Sequence, residues 1–122
     1  MFKRSEKVAE AIHEEISKLL INGVKDPRVG LVTVTGVKLT DDLRHATVYF
    51  SCRGTDSERK DAEAGLNSAK GFLRREVGKM LRMRYVPEII FRYDDSVAYG
   101  THIESILKQI HESEEGHADQ DK

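Results

Sequence analysis

Residues 45–52, HATVYFSC, alternate without a slip. Ala46, Val48, Phe50 and Cys52 fall on one side of an extended chain, and His45, Thr47, Tyr49 and Ser51 fall on the other. Successive side chains of a strand point to opposite faces, so this strand has one face in a core and one toward solvent. Such a strand belongs to a sheet covered on one side only. The rest of the chain must supply strands to pair with it and helices to cover it.

Residues 31–35, LVTVT, are β-branched and place Val32 and Val34 on one face. Val37 and Leu39 rejoin that face only if one residue is added. Gly36 stands at the step, so a β-bulge or kink is expected there. Thr40-Asp41-Asp42-Leu43 is a short turn, which makes the two strands an antiparallel hairpin. A third strand follows Pro87, from Glu88 to Tyr93, with Ile89, Phe91 and Tyr93 alternating against Ile90 and Arg92.

Helical spacing fills the remainder. Val8, Ile12, Ile16, Leu19 and Leu20 recur at intervals of three and four, predicting a helix over 5–21 with Ser5 as its N-cap. Asn22-Gly23 closes it, since both tolerate a left-handed C-cap. Lys25-Asp26-Pro27-Arg28 reads as a turn. Ser57 is expected to cap a helix reaching Ala69. A second helix is expected from about Phe72 to Arg84, through Leu73, Val77, Met80 and Leu81. Between them lies Ser68-Ala69-Lys70-Gly71. Gly71 inside a helix costs about 1 kcal/mol relative to alanine, so a kink or sharp turn is expected. Ile103, Ile106, Leu107 and Ile110 suggest a short final helix over 102–111. From Glu112 onward the chain is polar, acidic and aperiodic, which predicts disorder.

The expected order is α-β-β-α-α-β with a terminal helix. Helices on one face of a sheet make a two-layer α+β domain. Two helices between the second and third strands require a crossover, so the three-stranded sheet is expected to be mixed. One domain covers 1–111, and an acidic tail covers 112–122.

Charge is unevenly spread. The net charge is −1 over 122 residues. Five acids against one lysine put residues 110–122 at −4, which leaves the rest at +3. The densest run is Lys70 to Arg84, where Lys70, Arg74, Arg75, Lys79, Arg82 and Arg84 face one acid, Glu76. A nearly single-signed ridge opposite an apolar stripe repels itself and suits a polyanion. A solvated helix face is the bland alternative. Lys3, Arg4 and Lys7 form a weaker cluster, poorly placed for a helix N-terminus. Lys25 and Arg28 flank a turn and could extend a basic surface.

Other chemistry has little support. There is no P-loop, dinucleotide fingerprint or nucleophile elbow. His13, His45, His102, His111 and His117 lack the spacing of a metal site, and His13 and His45 read as surface residues. Asp41-Asp42 and Asp94-Asp95 sit in turn signals, where carboxylates cap turns. Cys52 is the sole cysteine; it forms no intrachain disulfide and reads as a buried structural thiol. No apolar run approaches the roughly 18 residues of a membrane span. The N-terminus resembles neither a signal nor a transit peptide. A cytoplasmic protein is expected.

Five segments carry a family resemblance. They are Val24-Lys25-Asp26-Pro27-Arg28-Val29-Gly30, Asp42 to Tyr49, Leu66 to Arg74, Leu81 to Glu88, and Phe91 to Ser96. In this order and spacing the chain resembles the bacterial ribosome-binding factor A family over about residues 4–108. The resemblance implies a type II KH-like fold. KH domains clamp nucleic acid with a Gly-x-x-Gly loop between their central helices. The family is similar but carries an Ala-x-Gly kink, which Ala69-Lys70-Gly71 fits, with Lys70 in reach of a phosphate. This departure from the general KH motif favours structured RNA over a clamped single strand. The resemblance further implies a non-catalytic factor for late maturation of the small (30S) ribosomal subunit. Its partner would be 16S rRNA during processing, with a link to growth in the cold. An assembly GTPase would displace it. No cofactor, metal or small-molecule substrate is expected, and the protein is expected to be a monomer. The alternatives are a KH-like protein on mRNA or another RNA, an Mg²⁺ nuclease using the paired aspartates, or an adaptor whose acidic tail binds a basic protein.

Overall fold

The computed structural model describes residues 3–95. The final helix and acidic tail expected beyond Asp95 lie outside the described residues. Helix α1 spans Arg4–Asn22, a 3-10 turn covers Pro27–Val29, and strands β1 (Val32–Leu39) and β2 (His45–Cys52) follow. Helix α2 spans Asp56–Met80 and β3 spans Glu88–Tyr93. The sheet order is β1-β2-β3, with β1 antiparallel and β3 parallel to β2. The mixed sheet expected from the crossover is present.

The alternation in β2 does what it predicts. Ala46, Val48 and Phe50 are fully buried, while Cys52, at the strand's end, is only half-buried. In β1 the register slips between Val34 and Gly36, leaving Thr35 unpaired. The slip returns Leu39 to the buried face beside Val34. Both helices lie on that face. Ile12 and Ile16 of α1 and Leu66, Leu73 and Val77 of α2 complete one core with Ile89 and Phe91.

Several local expectations need correction. The two helices expected on either side of Ser68–Gly71 are one helix of 25 residues. Its apolar stripe keeps step through the glycine: Leu66 and Leu73 are both fully buried. Burying leucines on both sides outweighs the roughly 1 kcal/mol propensity cost of Gly71. This helix begins two residues early. Thr55, not Ser57, is its N-cap: the Thr55 hydroxyl accepts the Glu58 N–H at 3.2 Å, and Glu58 accepts the Thr55 N–H at 2.9 Å. It also ends early, at Met80, so Arg82 and Arg84 lie beyond it. In α1 the cap position is Lys3, whose N–H donates to Glu6 at 2.9 Å. Ser5 is instead buried within the helix and donates to Asp41 at 3.4 Å. Gly23 closes α1 with φ −107°, so the left-handed cap is absent.

Two contacts were not readable from the sequence. Gly65 is buried in α2, where a Cβ would stand 3.0 Å from Val29 and 3.1 Å from Arg28. The absent side chain lets the 3-10 turn dock on the helix. His13 is half-buried rather than on the surface, and its Nε2 bonds the Val34 carbonyl at 3.1 Å, beside the bulge.

Candidate nucleic-acid interface

The cations expected to bind RNA separate into three environments. Lys70 is half-buried on α2, and Arg75 and Lys79 are exposed there. Lys79 lies 3.4 Å from Glu76, a loose pair on an exposed lysine. Such pairs contribute little and leave the charge free for another partner.

Arg74 and Arg28 are already engaged. Arg74 Nε donates to the Pro87 carbonyl at 3.0 Å, and Nη2 donates to the Val86 carbonyl at 2.9 Å. Nη2 also lies 3.1 Å from Glu88. Arg74 therefore fastens α2 to the segment entering β3. Arg28 grips Asp26 through two guanidinium nitrogens, at 3.0 Å from Nε and 2.6 Å from Nη2. The Arg28 side chain, aided by its backbone N–H, holds the Asp26 carboxyl below the usual range. Lys25 is exposed beside this clasp.

The third environment is a groove. The start of α1, the β1–β2 turn and the α2–β3 loop enclose about 980 Å³. Arg4, Lys7, Arg82 and Arg84 line it, so the fold unites the basic N-terminus with the end of the basic run. Arg44 joins them, a residue to which sequence reading gave no binding role. Arg44 lies well apart from both clusters in the chain, and only the hairpin's return brings it there. The two acids of the lining are occupied. Glu88 pairs with Arg74, and Asp42 accepts the Thr40 hydroxyl at 2.7 Å and the Arg44 N–H at 3.0 Å. Those bonds, the Thr40 hydroxyl first, hold the Asp42 carboxyl below its usual range. Among the described residues, none of the five groove cations has an ion-pair partner. Lys3 instead lies 4.0 Å from Asp41, away from this groove.

The groove's walls are strained. Leu43 (φ 62°) and Arg82 (φ 51°) are the non-glycine residues with positive φ among those described, and both line it. Tyr85 stands at its mouth, 76% exposed, with the Arg84 guanidinium 5.7 Å from its ring centre. The described residues contain no cluster of three or more metal-ligating side chains. They also contain no helix long and apolar enough to cross a membrane.

A family model described as ribosome-binding factor A matches residues 4–107. A protein of that name from Geotalea uraniireducens is 65% identical over 121 residues, 99% of each chain. Its counterpart in Geotalea daltonii is 63% identical over 122 residues, 100% of this chain and 98% of that one. The crystal structure of ribosome-binding factor A from Thermus thermophilus has a TM-score of 0.64 at 24% identity, covering 73% of this chain and 94% of that one. It shares the KH-like fold. A homology model of the Thermus thermophilus factor, fitted into a cryo-EM map of its 30S complex, has a TM-score of 0.52 at 25% identity. That likeness covers 70% of this chain and 93% of the other. A family match from residue 4 to residue 107, with near-full-length relatives at 65% and 63% identity, means that this chain belongs to the ribosome-binding factor A family.

Proposed function

We propose that this protein is a cytoplasmic assembly factor that binds small-subunit rRNA during late maturation and performs no chemistry on it. The observation that carries the proposal is the convergence of Arg4, Lys7, Arg44, Arg82 and Arg84 on one groove. Five cations without an ion-pair partner among the described residues, set around a concavity, form a site for a polyanion, and counterion release supplies the affinity. The α2 cations, half-buried Lys70 and exposed Arg75 and Lys79, add phosphate contacts. Membership of the family supports the choice of RNA, as does the similar Thermus protein placed in a 30S complex. Holding one rRNA conformer needs no cofactor. It matters most in the cold, where RNA refolds slowly. Release then falls to another factor, an assembly GTPase.

The test is cosedimentation with immature and mature small subunits across a salt series. Wild type is compared with a Lys70→Glu, Arg75→Glu, Lys79→Glu variant and with an Arg44→Glu, Arg82→Glu, Arg84→Glu variant. Arg74 is left intact because it braces the fold. Wild type is expected to bind subunits and weaken steeply with salt, and both variants to lose binding. A wild type that ignores subunits but binds free RNA would move the function off the ribosome.

A further inference from the structure

We propose that the groove between α1, the β1–β2 turn and the α2–β3 loop takes a single unstacked nucleotide of structured RNA. Its base lies on Tyr85 and an apolar floor, and its phosphates lie on the arginine rim. The inference rests on the RNA-binding reading above and names the RNA feature that this site selects.

The lining has two chemistries. Val8, Ala11, Leu43, Leu81, Met83 and Val86 are its apolar part. A surface that only tracks a duplex backbone has no use for such a floor. A nucleotide out of its stack offers a flat apolar base joined to an anionic phosphate, which matches both parts. The volume, about 980 Å³, reaches the upper end of small-ligand sites, about 300–1,000 Å³.

Tyr85 supplies the platform. Among the described residues it is the one aromatic side chain left mostly in water; the others are buried or half-buried. Aromatic rings beside cationic grooves stack bases of any identity. Arg84 beside the ring extends that surface and offers a charge to the adjoining phosphate. The strained backbone is an independent observation. Positive φ at a leucine or an arginine is unfavourable and concentrates where a ligand site requires it. Both such residues among those described line this one groove.

The experiment uses the full chain and two RNA hairpins, identical except that one carries a single bulged 2-aminopurine. Binding is followed by anisotropy, and stacking by quenching of the 2-aminopurine. Base–aromatic stacking corresponds to about 5- to 150-fold in affinity. Wild type is expected to prefer the bulged hairpin by at least about 5-fold and to quench the probe. Tyr85→Ala, a change at an exposed side chain, should erase the preference and the quenching while leaving the paired hairpin's affinity unchanged. Tyr85→Phe should keep both. Equal affinity for the two hairpins, or a preference that survives Tyr85→Ala, overturns the assignment. So does saturation of the groove by a glutamate-rich peptide, read from Tyr85 NMR shifts that RNA does not produce. Subunit cosedimentation separates the two readings. Subunit binding without a bulge preference defeats only the nucleotide pocket, whereas loss of subunit and hairpin binding together defeats the RNA reading as well.

Discussion

Arg82 stands where a helix end ordinarily has glycine. Met83 N–H bonds the Gly78 carbonyl at 3.0 Å and Arg82 N–H bonds the Lys79 carbonyl at 3.3 Å, the pattern of a Schellman C-cap. The residue just past the cap, which donates the second of these bonds, must be left-handed, and Arg82 is, with φ 51°. A side chain in that conformation costs about 1–2 kcal/mol. The arginine is therefore retained against stability, and its place in the groove supplies the reason. Arg82→Gly is expected to stabilise the fold by about 1 kcal/mol in urea melts while weakening subunit binding. A destabilised Arg82→Gly protein would mean that the side chain, not the groove, explains its presence. Sequence reading placed this residue on a helix because the apolar stripe through Leu73, Val77, Met80 and Leu81 runs up to it. The α2–β3 loop decides otherwise. Gly78 approaches that loop so closely that a Cβ would stand 2.6 Å from Val86.

At the scale of elements, α2 is the main departure from expectation. Propensity argued for a break at Gly71, and burial on either side argued for continuity. Burial dominates because Leu66 and Leu73 enter the same core. The consequence is measurable. A Cβ at Gly71 would have only Arg75 Nη1 near it, at 3.7 Å. Gly71→Ala should therefore raise stability by about 0.5–1 kcal/mol in thermal or denaturant melts. A loss would indicate a sharply turned backbone there. The same helix holds β3 through Arg74. Removing that guanidinium leaves the Pro87 and Val86 carbonyls without a donor. Arg74→Met should cost about 1–3 kcal/mol by chemical denaturation, with part of the pair's attraction screened because the side chain is 33% exposed. It should also weaken RNA binding, because the loop carrying Arg84 and Tyr85 would come loose. Full stability in Arg74→Met would return Arg74 to the set of free phosphate contacts.

At the scale of the whole molecule, net charge conceals the functional signal. A chain at −1 looks indifferent to nucleic acid, but its acidic end masks a body at +3. Folding then concentrates cations on one groove and one helix face. Exposed lysines that meet phosphates contribute counterion release, so Lys79→Gln should lower the slope of log binding against log salt by about 1. Arg28→Gln should leave that slope unchanged, since Arg28 already neutralises Asp26. Equal slope changes in both would place the 3-10 turn in the interface.

The sequence by itself determined the layers. Alternation in β2, the slip at Gly36 and the stripe of α1 each express a single period. Burial of one face is the only way to satisfy such a period, so neighbours in the chain suffice to read it. The basic run from Lys70 to Arg84 was equally plain as a quantity of charge. Its use was not. Which side chains brace the fold depends on partners distant in the chain: Val86 and Pro87 for Arg74, Val34 for His13. The tertiary structure alone decided that Arg4, Arg44 and Arg82 share one groove. Hydrophobic burial sets the path of the backbone, and a charged side chain acquires its neighbours only once that path has closed.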